Sequence, residues 1–329
     1  MNEYTLPDLT VAPMEGLTTF VWRKLHAKYF GAADRYYLPF VSPTVEPAFT
    51  QRQLRELAPE INEGFNAVPQ LLTRRSDDFI WAAKALADMG YKEVNLNCGC
   101  PAGTVVAKGK GSGFLKEPHE MEAFFNRIFD ADLPIAISVK TRLGWCEEKE
   151  FDAISEVYSH FPIDCLIIHA RLKTDQYKGE PRMEAFDKAA KILTLPLGYN
   201  GDLTTLSDIL GVHEKYPNLS QLMAGRPLMG DPALFRKAKG GLPASKEEIK
   251  AFTEELFDSY TEAFGSRNNA LMRMKEYWFY QLGLFEGGSE LSKPIFKSRT
   301  PEAFEEALKP VFELPIRCDA ERLWFKERN

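Results

Sequence analysis

Eight short apolar segments, rich in β-branched and aromatic residues, alternate in this 329-residue chain with segments of helical spacing. The expected strands cover residues 9–14, 36–41, 66–72, 92–97, 134–140, 164–169, 195–199 and 220–224. Apolar residues three and four apart predict intervening helices over 77–89, 150–160, 183–193 and 205–216. This alternation is typical of an α/β fold of the (β/α)8 or TIM-barrel type. A doubly wound open sheet is the alternative, which we disfavour because no GxGxxG motif follows an early strand.

The pattern changes after residues 239–243, where only helical spacing continues. Ser245 and Glu248 predict a capping box, apolar residues follow three and four apart, and Gly265 predicts the end of that helix. Two more helices are expected, over 270–282 and from Pro301. The sequence therefore predicts a barrel domain over 1–240 and an all-α helical domain over 245–329.

Nearly every expected strand ends in polar or reactive residues. Parallel barrel strands bring such ends together, and the active sites of this fold lie there. The residues at these ends are Pro13 and Met14, Gln70, Asn97 to Cys100, Lys140 and Arg142, His169 and Arg171, Asn200 to Asp202, and Gly225 with Arg226. A purely structural barrel would need none of them, so we expect a functional site at this end.

The last two expected strands end in Asn200-Gly201-Asp202 and Gly225-Arg226. Loops at these positions form the usual phosphate site of the fold. Glycine lets backbone N–H groups approach a phosphate, and an arginine adds a charge-assisted contact. The alternative is simple turn chemistry, since Asn-Gly is a strong turn signal.

Cys98 and Cys100 flank a glycine directly after the fourth expected strand, in the sequence Asn95-Leu96-Asn97-Cys98-Gly99-Cys100-Pro101. A thiol on a turn at a strand end is well placed for catalysis. Both cysteines could instead be small packing residues. A metal site is disfavoured, because no second Cys/His cluster completes four ligands.

Charge and cysteine content restrict the class of protein. The net charge is −6, which argues mildly against a nucleic-acid substrate unless basic residues cluster on one face. The odd number of cysteines, without paired CxxC units, favours a reducing cytoplasm. No apolar run approaches the ~20 residues that span a bilayer, and the N-terminus lacks the features of a secretory signal.

A series of short motifs, in order and at their spacing, resembles the tRNA-dihydrouridine synthases. These are flavin enzymes that reduce a uridine of tRNA with electrons from a nicotinamide cofactor. The motifs are Ala12–Gly16, Pro69–Leu72, Asn95–Pro101, Val139–Trp145, His169–Arg171, Asn200–Asp202 and Ala224–Arg226, so the resemblance covers most of the chain.

The resemblance implies a cofactor, FMN, reduced by NADPH or NADH. In that family the positions that contact the flavin match Pro13, Met14, Glu15, Gln70, Lys140 and His169, and the phosphate would lie on Asn200, Gly201, Asp202, Gly225 and Arg226. The family's proton donor is the cysteine before proline, which is Cys100 and not Cys98. A thiol with an ordinary pKa of ~8.5 stays protonated at neutral pH and suits this role.

The substrate that the resemblance implies is a uridine of tRNA, expected in the D-loop, and this base must leave its stack to enter the barrel mouth. The expected RNA or substrate contacts are Asn97, Lys108, Lys110, Arg142, Arg171 and Lys173, with Arg273 and Lys275 from the helical domain. Two alternatives stay open: an FMN barrel acting on free pyrimidines, such as a dihydroorotate or dihydropyrimidine dehydrogenase, and a non-catalytic tRNA-binding module. No metal, membrane or obligate protein partner is expected.

Overall fold

The computed structural model describes residues 6–322. Within this range, nine strands form one parallel sheet in the order β3-β2-β1-β9-β8-β7-β6-β5-β4. Their bounds are β1 Asp8–Val11, β2 Arg35–Tyr37, β3 Ala67–Val68, β4 Gln70–Leu71, β5 Glu93–Cys98, β6 Ala136–Arg142, β7 Leu166–His169, β8 Leu197–Asn200 and β9 Gln221–Ala224. All eight expected strands are present, within a few residues of their expected bounds.

The two strands at the ends of this order, β3 and β4, are separated by Pro69 alone. They are therefore two halves of one strand, because proline has no N–H to continue a ladder. The Pro69 carbonyl still accepts a bond of 2.8 Å from the Asn95 N–H of β5. The sheet thus closes on itself through this divided strand, and the predicted TIM-barrel fold is confirmed.

Strand register places the polar residues of neighbouring strands side by side. Asn95 of β5 pairs with Ser138 of β6, and Asn97 pairs with Lys140. Farther along, Arg142 of β6 pairs with His169 of β7, which in turn pairs with Asn200 of β8. The carboxyl ends of β5 to β8 therefore form a continuous row of polar side chains.

Fourteen α-helices lie among residues 6–322. They are α1 Phe20–Tyr29, α2 Gln51–Leu57, α3 Ser76–Asp88, α4 Gly103–Val106, α5 Pro118–Asp130, α6 Glu150–Ser159, α7 Met183–Ile192, α8 Leu206–Lys215, α9 Arg226–Gly230, α10 Leu234–Ala238, α11 Lys246–Phe264, α12 Arg267–Gln281, α13 Ser292–Lys297 and α14 Pro301–Glu313. The four helices expected between strands are α3, α6, α7 and α8. None of the helices described is both long and apolar enough to cross a membrane.

The chain divides into two compact units. The first contains the described residues up to Pro13, with Arg35–Asp202 and Tyr216–Met223, and the second contains Met14–Asp34, Leu203–Lys215 and the chain from Ala224 onward. The second unit therefore combines the C-terminal helices with α1 and α8, which come from earlier in the sequence. The separation into domains over 1–240 and 245–329 stays a prediction.

Within the second unit, α11 packs against α1. The Thr19 hydroxyl lies 3.0 Å from that of Tyr260, and the Phe30 and Phe252 ring centroids are 5.1 Å apart. At the surface, Lys28 forms an ion pair of 2.6 Å with Glu255. A mixed apolar and polar contact thus joins helices that are more than two hundred residues apart.

The predicted ends of α11 and the predicted start of α14 are confirmed, whereas α12 covers Arg267–Gln281 in place of the expected 270–282. The Ser245 hydroxyl accepts a bond of 3.1 Å from the Glu248 N–H, and the Glu248 carboxylate accepts one of 3.4 Å from the Ser245 N–H. Gly265 ends α11 with a φ of 76°. Thr300 caps α14 by accepting from the Ala303 N–H at 3.2 Å. Local capping chemistry therefore determines where these helices begin and end.

Candidate active site at the carboxyl ends of the strands

Cys98 and Cys100 lie in different surroundings. Cys98 is the last residue of β5 and is fully buried. Burial raises the pKa of its thiol to about 12, an effect partly offset by the Tyr158 hydroxyl. Cys100 lies two residues farther along, outside the strand, and is only half-buried. Of the two thiols, Cys100 is the accessible one.

Hydrogen bonds on both sides hold the backbone of Cys100. The Asn97 side-chain oxygen accepts from the N–H groups of Gly99 at 3.1 Å and Cys100 at 2.9 Å. The Cys100 carbonyl accepts from the Ser112 hydroxyl at 2.9 Å and from the Ser112 N–H at 3.1 Å. A Cβ on Gly111, whose φ is 56°, would lie 2.7 Å from that carbonyl. The turn therefore requires glycine at position 111 and is rigidly positioned.

Gln70 lies beside this turn, fully buried between two asparagines. Its amide nitrogen donates to the Asn95 side-chain oxygen at 2.7 Å, and its amide oxygen accepts from the Asn97 nitrogen at 2.8 Å. Two bonds thus fix the plane and the direction of the Gln70 amide. An amide held this way can present its remaining donor and acceptor to a planar ligand.

Lys140 lies within β6, two residues before the end of the strand. Loss of solvation, together with the positive charge of Arg142, lowers the pKa of its amine to about 7, although Cys100 partly opposes the change. Near pH 7 the Lys140 amine can therefore be neutral or charged, and a nearby charge decides which form prevails. A bound anion would favour the charged form.

Arg142 is buried and ends β6. Its guanidinium donates to the Gly99 carbonyl at 2.9 Å and to the Leu172 carbonyl at 2.8 Å. The guanidinium carbon lies 5.2 Å from the centre of the Tyr177 ring. Arg142 therefore holds the loops that contain Gly99 and Leu172 in place. Because its side chain is buried, Arg142 could contact RNA, as predicted, only if a nucleotide entered the barrel mouth.

His169, Arg171 and Asp202 form one buried cluster. The Arg171 guanidinium pairs with the Asp202 carboxylate at 2.5 Å and lies 3.1 Å from His169 Nε2. Because a guanidinium only donates, Nε2 of His169 accepts, and the ring proton lies on Nδ1. Asp202 has a left-handed φ of 38°. The Asp202 carboxylate, predicted as a cofactor contact, is thus already engaged with Arg171.

Asn200 ends β8 and bonds to the adjacent strand. Its side-chain nitrogen donates to the Met223 carbonyl at 2.7 Å. Gly201 follows with a φ of 154°, and a Cβ there would lie 2.8 Å from the Tyr199 hydroxyl. Gly225 directly follows β9, and Arg226 begins α9. Position 201 therefore requires glycine, and the phosphate site expected at these residues stays a prediction.

The other expected contacts vary in exposure. Pro13 and Met14 are half-buried, and Glu15 is exposed on a turn. Lys108 is exposed and Lys110 half-buried. Loss of solvation lowers the pKa of Lys110. The Lys173 amine lies 4.3 Å from the centre of the Trp145 ring.

Arg273 and Lys275, both on α12, are engaged inside the second unit. Arg273 pairs with Glu276 at 2.6 Å and donates to the Gly16 carbonyl at 3.3 Å. The Lys275 amine donates to the backbone carbonyls of Phe296 and Ser298. Their role as RNA contacts stays a prediction, and both have intramolecular partners that RNA would have to replace or share.

Sequence reasoning missed several residues around Cys100. Asn95, Ser112 and Ser138 are buried, and each bonds to a residue of the site or to its neighbour. Asn95 could have been found, because it is two residues before Asn97 and so shares its face of β5. Ser112 and Ser138 carried no such signal, since serine is common in loops and strands alike.

A model of the dihydrouridine synthase (Dus) family matches residues 10–312 of the chain. The chain is 28% identical over 286 residues to tRNA-dihydrouridine synthase B of Vibrio vulnificus, covering 81% of this chain and 85% of that protein. It is 29% identical over 317 residues to probable tRNA-dihydrouridine synthase 1 of Synechocystis sp., covering 93% and 87%.

Solved structures show the same fold at low identity. A variant of NCR from Zymomonas mobilis matches with a TM-score of 0.50 and 16% identity, over 74% of this chain and 90% of that one. A complex of 2-naphthoyl-CoA reductase with 2-naphthoyl-CoA matches with a TM-score of 0.53 and 12% identity, over 71% of this chain and 50% of that one. At this identity the likeness concerns the fold alone.

Proposed function

This chain belongs to the dihydrouridine synthase family, and from that premise we infer that it reduces the 5,6 double bond of a uridine in tRNA. The relatives named tRNA-dihydrouridine synthase, at 28–29% identity over most of the chain, support this substrate. The observation that carries the proposal is the half-buried Cys100 thiol on a turn fixed from both sides. Asn97, which holds this turn, also donates to Gln70 and pairs with Lys140 on the neighbouring strand.

We propose that FMN is the cofactor and NADPH or NADH the reductant. The residues present fit a flavin: Gln70 offers a fixed amide, and Lys140 offers an amine whose lowered pKa an anion would restore. Backbone at Gly201 and Gly225, with Arg226, would hold the phosphate. When bound, the cofactor would supply a hydride to the pyrimidine ring.

Cys100 would supply the proton. Reduction of the 5,6 double bond needs a hydride at C6 and a proton at C5, and the Cys100 Sγ–H provides the proton from the face opposite the hydride. The resulting thiolate then regains a proton from solvent, which the partial exposure of Cys100 allows. Asn97 and Ser112 hold the donor in place through backbone bonds, so little reorganisation is needed.

The proposed setting is the cytoplasm, in keeping with the five free cysteines. The test uses purified protein with FMN, NADPH and an unmodified tRNA transcript, followed by mass spectrometry of the digested nucleosides. We expect dihydrouridine at defined positions. Reduction of free uracil or orotate without dihydrouridine in tRNA would instead favour the free-pyrimidine enzyme, and a protein that binds tRNA but not flavin would favour the non-catalytic module.

A further inference from the structure

A chain of side-chain hydrogen bonds begins inside the barrel at Glu93, the first residue of β5. The Ser138 hydroxyl donates to the Glu93 carboxylate at 2.6 Å. The Ser138 oxygen accepts from the Asn95 amide nitrogen at 2.8 Å. The Asn95 oxygen accepts from the Gln70 nitrogen at 2.7 Å. Three consecutive bonds thus lead from a buried carboxylate to Gln70.

The same chain continues from Gln70 to the catalytic turn. The Gln70 oxygen accepts from the Asn97 nitrogen at 2.8 Å. The Asn97 oxygen accepts from the backbone N–H groups of Gly99 and Cys100. The carboxylate of Glu93 is therefore linked without interruption to the N–H of Cys100.

All bonds in this chain point the same way, and each end fixes that direction independently. A carboxylate only accepts, so Ser138 must donate to Glu93, Asn95 to Ser138, and Gln70 to Asn95. A backbone N–H only donates, so Asn97 must turn its oxygen to Cys100 and its nitrogen to Gln70. Both constraints require the same orientation of the Gln70 amide.

Burial makes this direction costly to disturb. Gln70, Asn95 and Ser138 are fully buried, and Asn97 and Glu93 nearly so. A reversed amide would place two donors or two acceptors face to face, with no water to compensate. The Arg35 guanidinium, 2.6 Å from the other Glu93 oxygen, keeps the carboxylate in place.

We propose that Glu93, Ser138 and Asn95 are positioning residues that orient the amides of Gln70 and Asn97 and thereby place the Cys100 thiol. The proposal rests on the proposed function, because the thiol it places is the proton donor inferred above. None of the three residues needs to touch the substrate. Their effect on the reaction passes through the position of the Cys100 backbone, where displacements of about 1 Å can cost roughly 100-fold in rate.

The test compares two variants that break the chain with a control that does not. Ser138→Ala removes one link, and Asn95→Leu removes the next with little change in side-chain volume. Thr10→Val is the matched control, because the Thr10 hydroxyl is equally buried on a barrel strand and has no hydrogen-bond partner among the described residues. Hydrogen–deuterium exchange of the protein without tRNA measures protection at the Gly99 and Cys100 N–H groups.

We expect exchange at Gly99 and Cys100 to rise by about fivefold or more in both chain variants, and to stay unchanged in Thr10→Val. Exchange in α5 serves as the reference for global stability. Unchanged exchange at the turn in both chain variants would overturn the proposal, as would an equal rise in α5. If Ser138→Ala does not fold, Asn95→Leu alone decides the matter by the same criteria.

Kinetics provide the second readout. We expect both chain variants to lower kcat for dihydrouridine formation by roughly tenfold or more and to change KM for tRNA much less, since the expected lysine and arginine contacts with tRNA lie outside this chain of bonds. A change in KM alone would contradict a positioning role. Absence of dihydrouridine with the wild-type protein would reject the proposed function, whereas the exchange result would still decide whether the chain orders the turn.

Discussion

Cys98 and Cys100 differ in what their thiols can reach, although one glycine separates them. Cys98 is buried against Tyr158, and its pKa is raised to about 12, so it stays a thiol at physiological pH. Cys100 is half-buried on the fixed turn. We expect Cys100→Ala to keep its fold, its FMN and its reduction by NADPH, but to lose about 10²–10⁴-fold of uridine reduction, the usual contribution of general acid catalysis.

Cys98→Ala is the matched control, since it removes the same group from the same strand end. It should retain most of the activity and lose stability on the order of 1 kcal/mol from the small void left behind. The rate at which tRNA oxidises the reduced protein in a single turnover measures the uridine-reduction step in each variant. Equal rates in the two variants would show that Cys100 is not the proton donor.

In the FMN-free protein, the lowered pKa of Lys140 makes the free energy of unfolding depend on pH. Its pKa in the folded protein, about 7, is below the unfolded value near 10.4. Between these two pKa values the unfolded chain binds more protons than the folded chain, so Lys140 makes the free energy of unfolding rise with pH. Below pH 7 the Lys140 amine is charged in both states, and the folded protein carries the full cost of removing that charge from water. We expect Lys140→Met to be more stable than the wild type below pH 7, and this advantage to shrink as the pH rises toward 10.

Thermal unfolding midpoints of both proteins between pH 6 and pH 10 test this expectation. The pH range is chosen so that both limits of the Lys140 titration are approached. Parallel curves for Lys140→Met and wild type would contradict a lowered pKa at this position.

The short helix that follows Lys110 depends on glycine at its first position. This 3-10 helix covers Gly111–Lys116, and its Ser112 holds the Cys100 carbonyl. Gly111→Ala should lower stability by about 1–2 kcal/mol because of its positive φ, and should also reduce uridine reduction because the new Cβ meets the Cys100 carbonyl. Gly103→Ala is the control, since nothing lies within 4 Å of a Cβ there. Denaturant unfolding and turnover of both variants test the comparison.

The strands could be predicted because their apolar runs are short and regularly spaced, whereas several helices gave weaker signals. In α1 the polar residues Arg23 and His26 are buried beside Trp22. The spacing of apolar residues alone therefore does not identify the whole buried face of this helix. The His26 ring stays neutral because burial lowers its pKa to about 3. Helix α5 had a usable signal, since Met121, Phe124 and Ile128 follow helical spacing and are buried.

The candidate site could be assigned to the strand ends for a different reason. Active sites in this fold lie at strand ends, so Gln70, Lys140 and His169 could be named from sequence. The partners of Arg142 and Arg171 could not, because a charged residue in a sequence gives no sign that it will be buried against carbonyls or a carboxylate. These pairings depend on the register between neighbouring strands, which the spacing of residues along the sequence does not determine.

The whole molecule carries a net charge of −6, yet its proposed substrate is a polyanion. Binding must then depend on local groups such as the exposed Lys108. We expect tRNA affinity to fall with salt, with a log–log slope of about −0.7 to −0.9 for each phosphate neutralised. Lys108→Ala should reduce the magnitude of that slope by roughly one, while Lys84→Ala, an exposed lysine of α3, should leave it unchanged.

Titration of tRNA binding between dilute and physiological salt provides the measurement. Salt-independent binding by the wild type would contradict an electrostatic RNA contact and would favour a small substrate. An equal change of slope in the Lys108 and Lys84 variants would show that only overall charge matters.

The packing of α1 against α11 has a consequence for how the protein is made. The Thr19 and Tyr260 hydroxyls that meet in the folded chain are 241 residues apart. At a synthesis rate of about 5–20 residues per second, α1 leaves the ribosome roughly 10–50 s before its partner exists. During that interval Phe30, which is buried in the folded chain, lacks the Phe252 ring against which it packs. The nascent chain therefore passes through a period in which α1 presents apolar side chains that a chaperone can bind, and that period ends only after α11 has been synthesised.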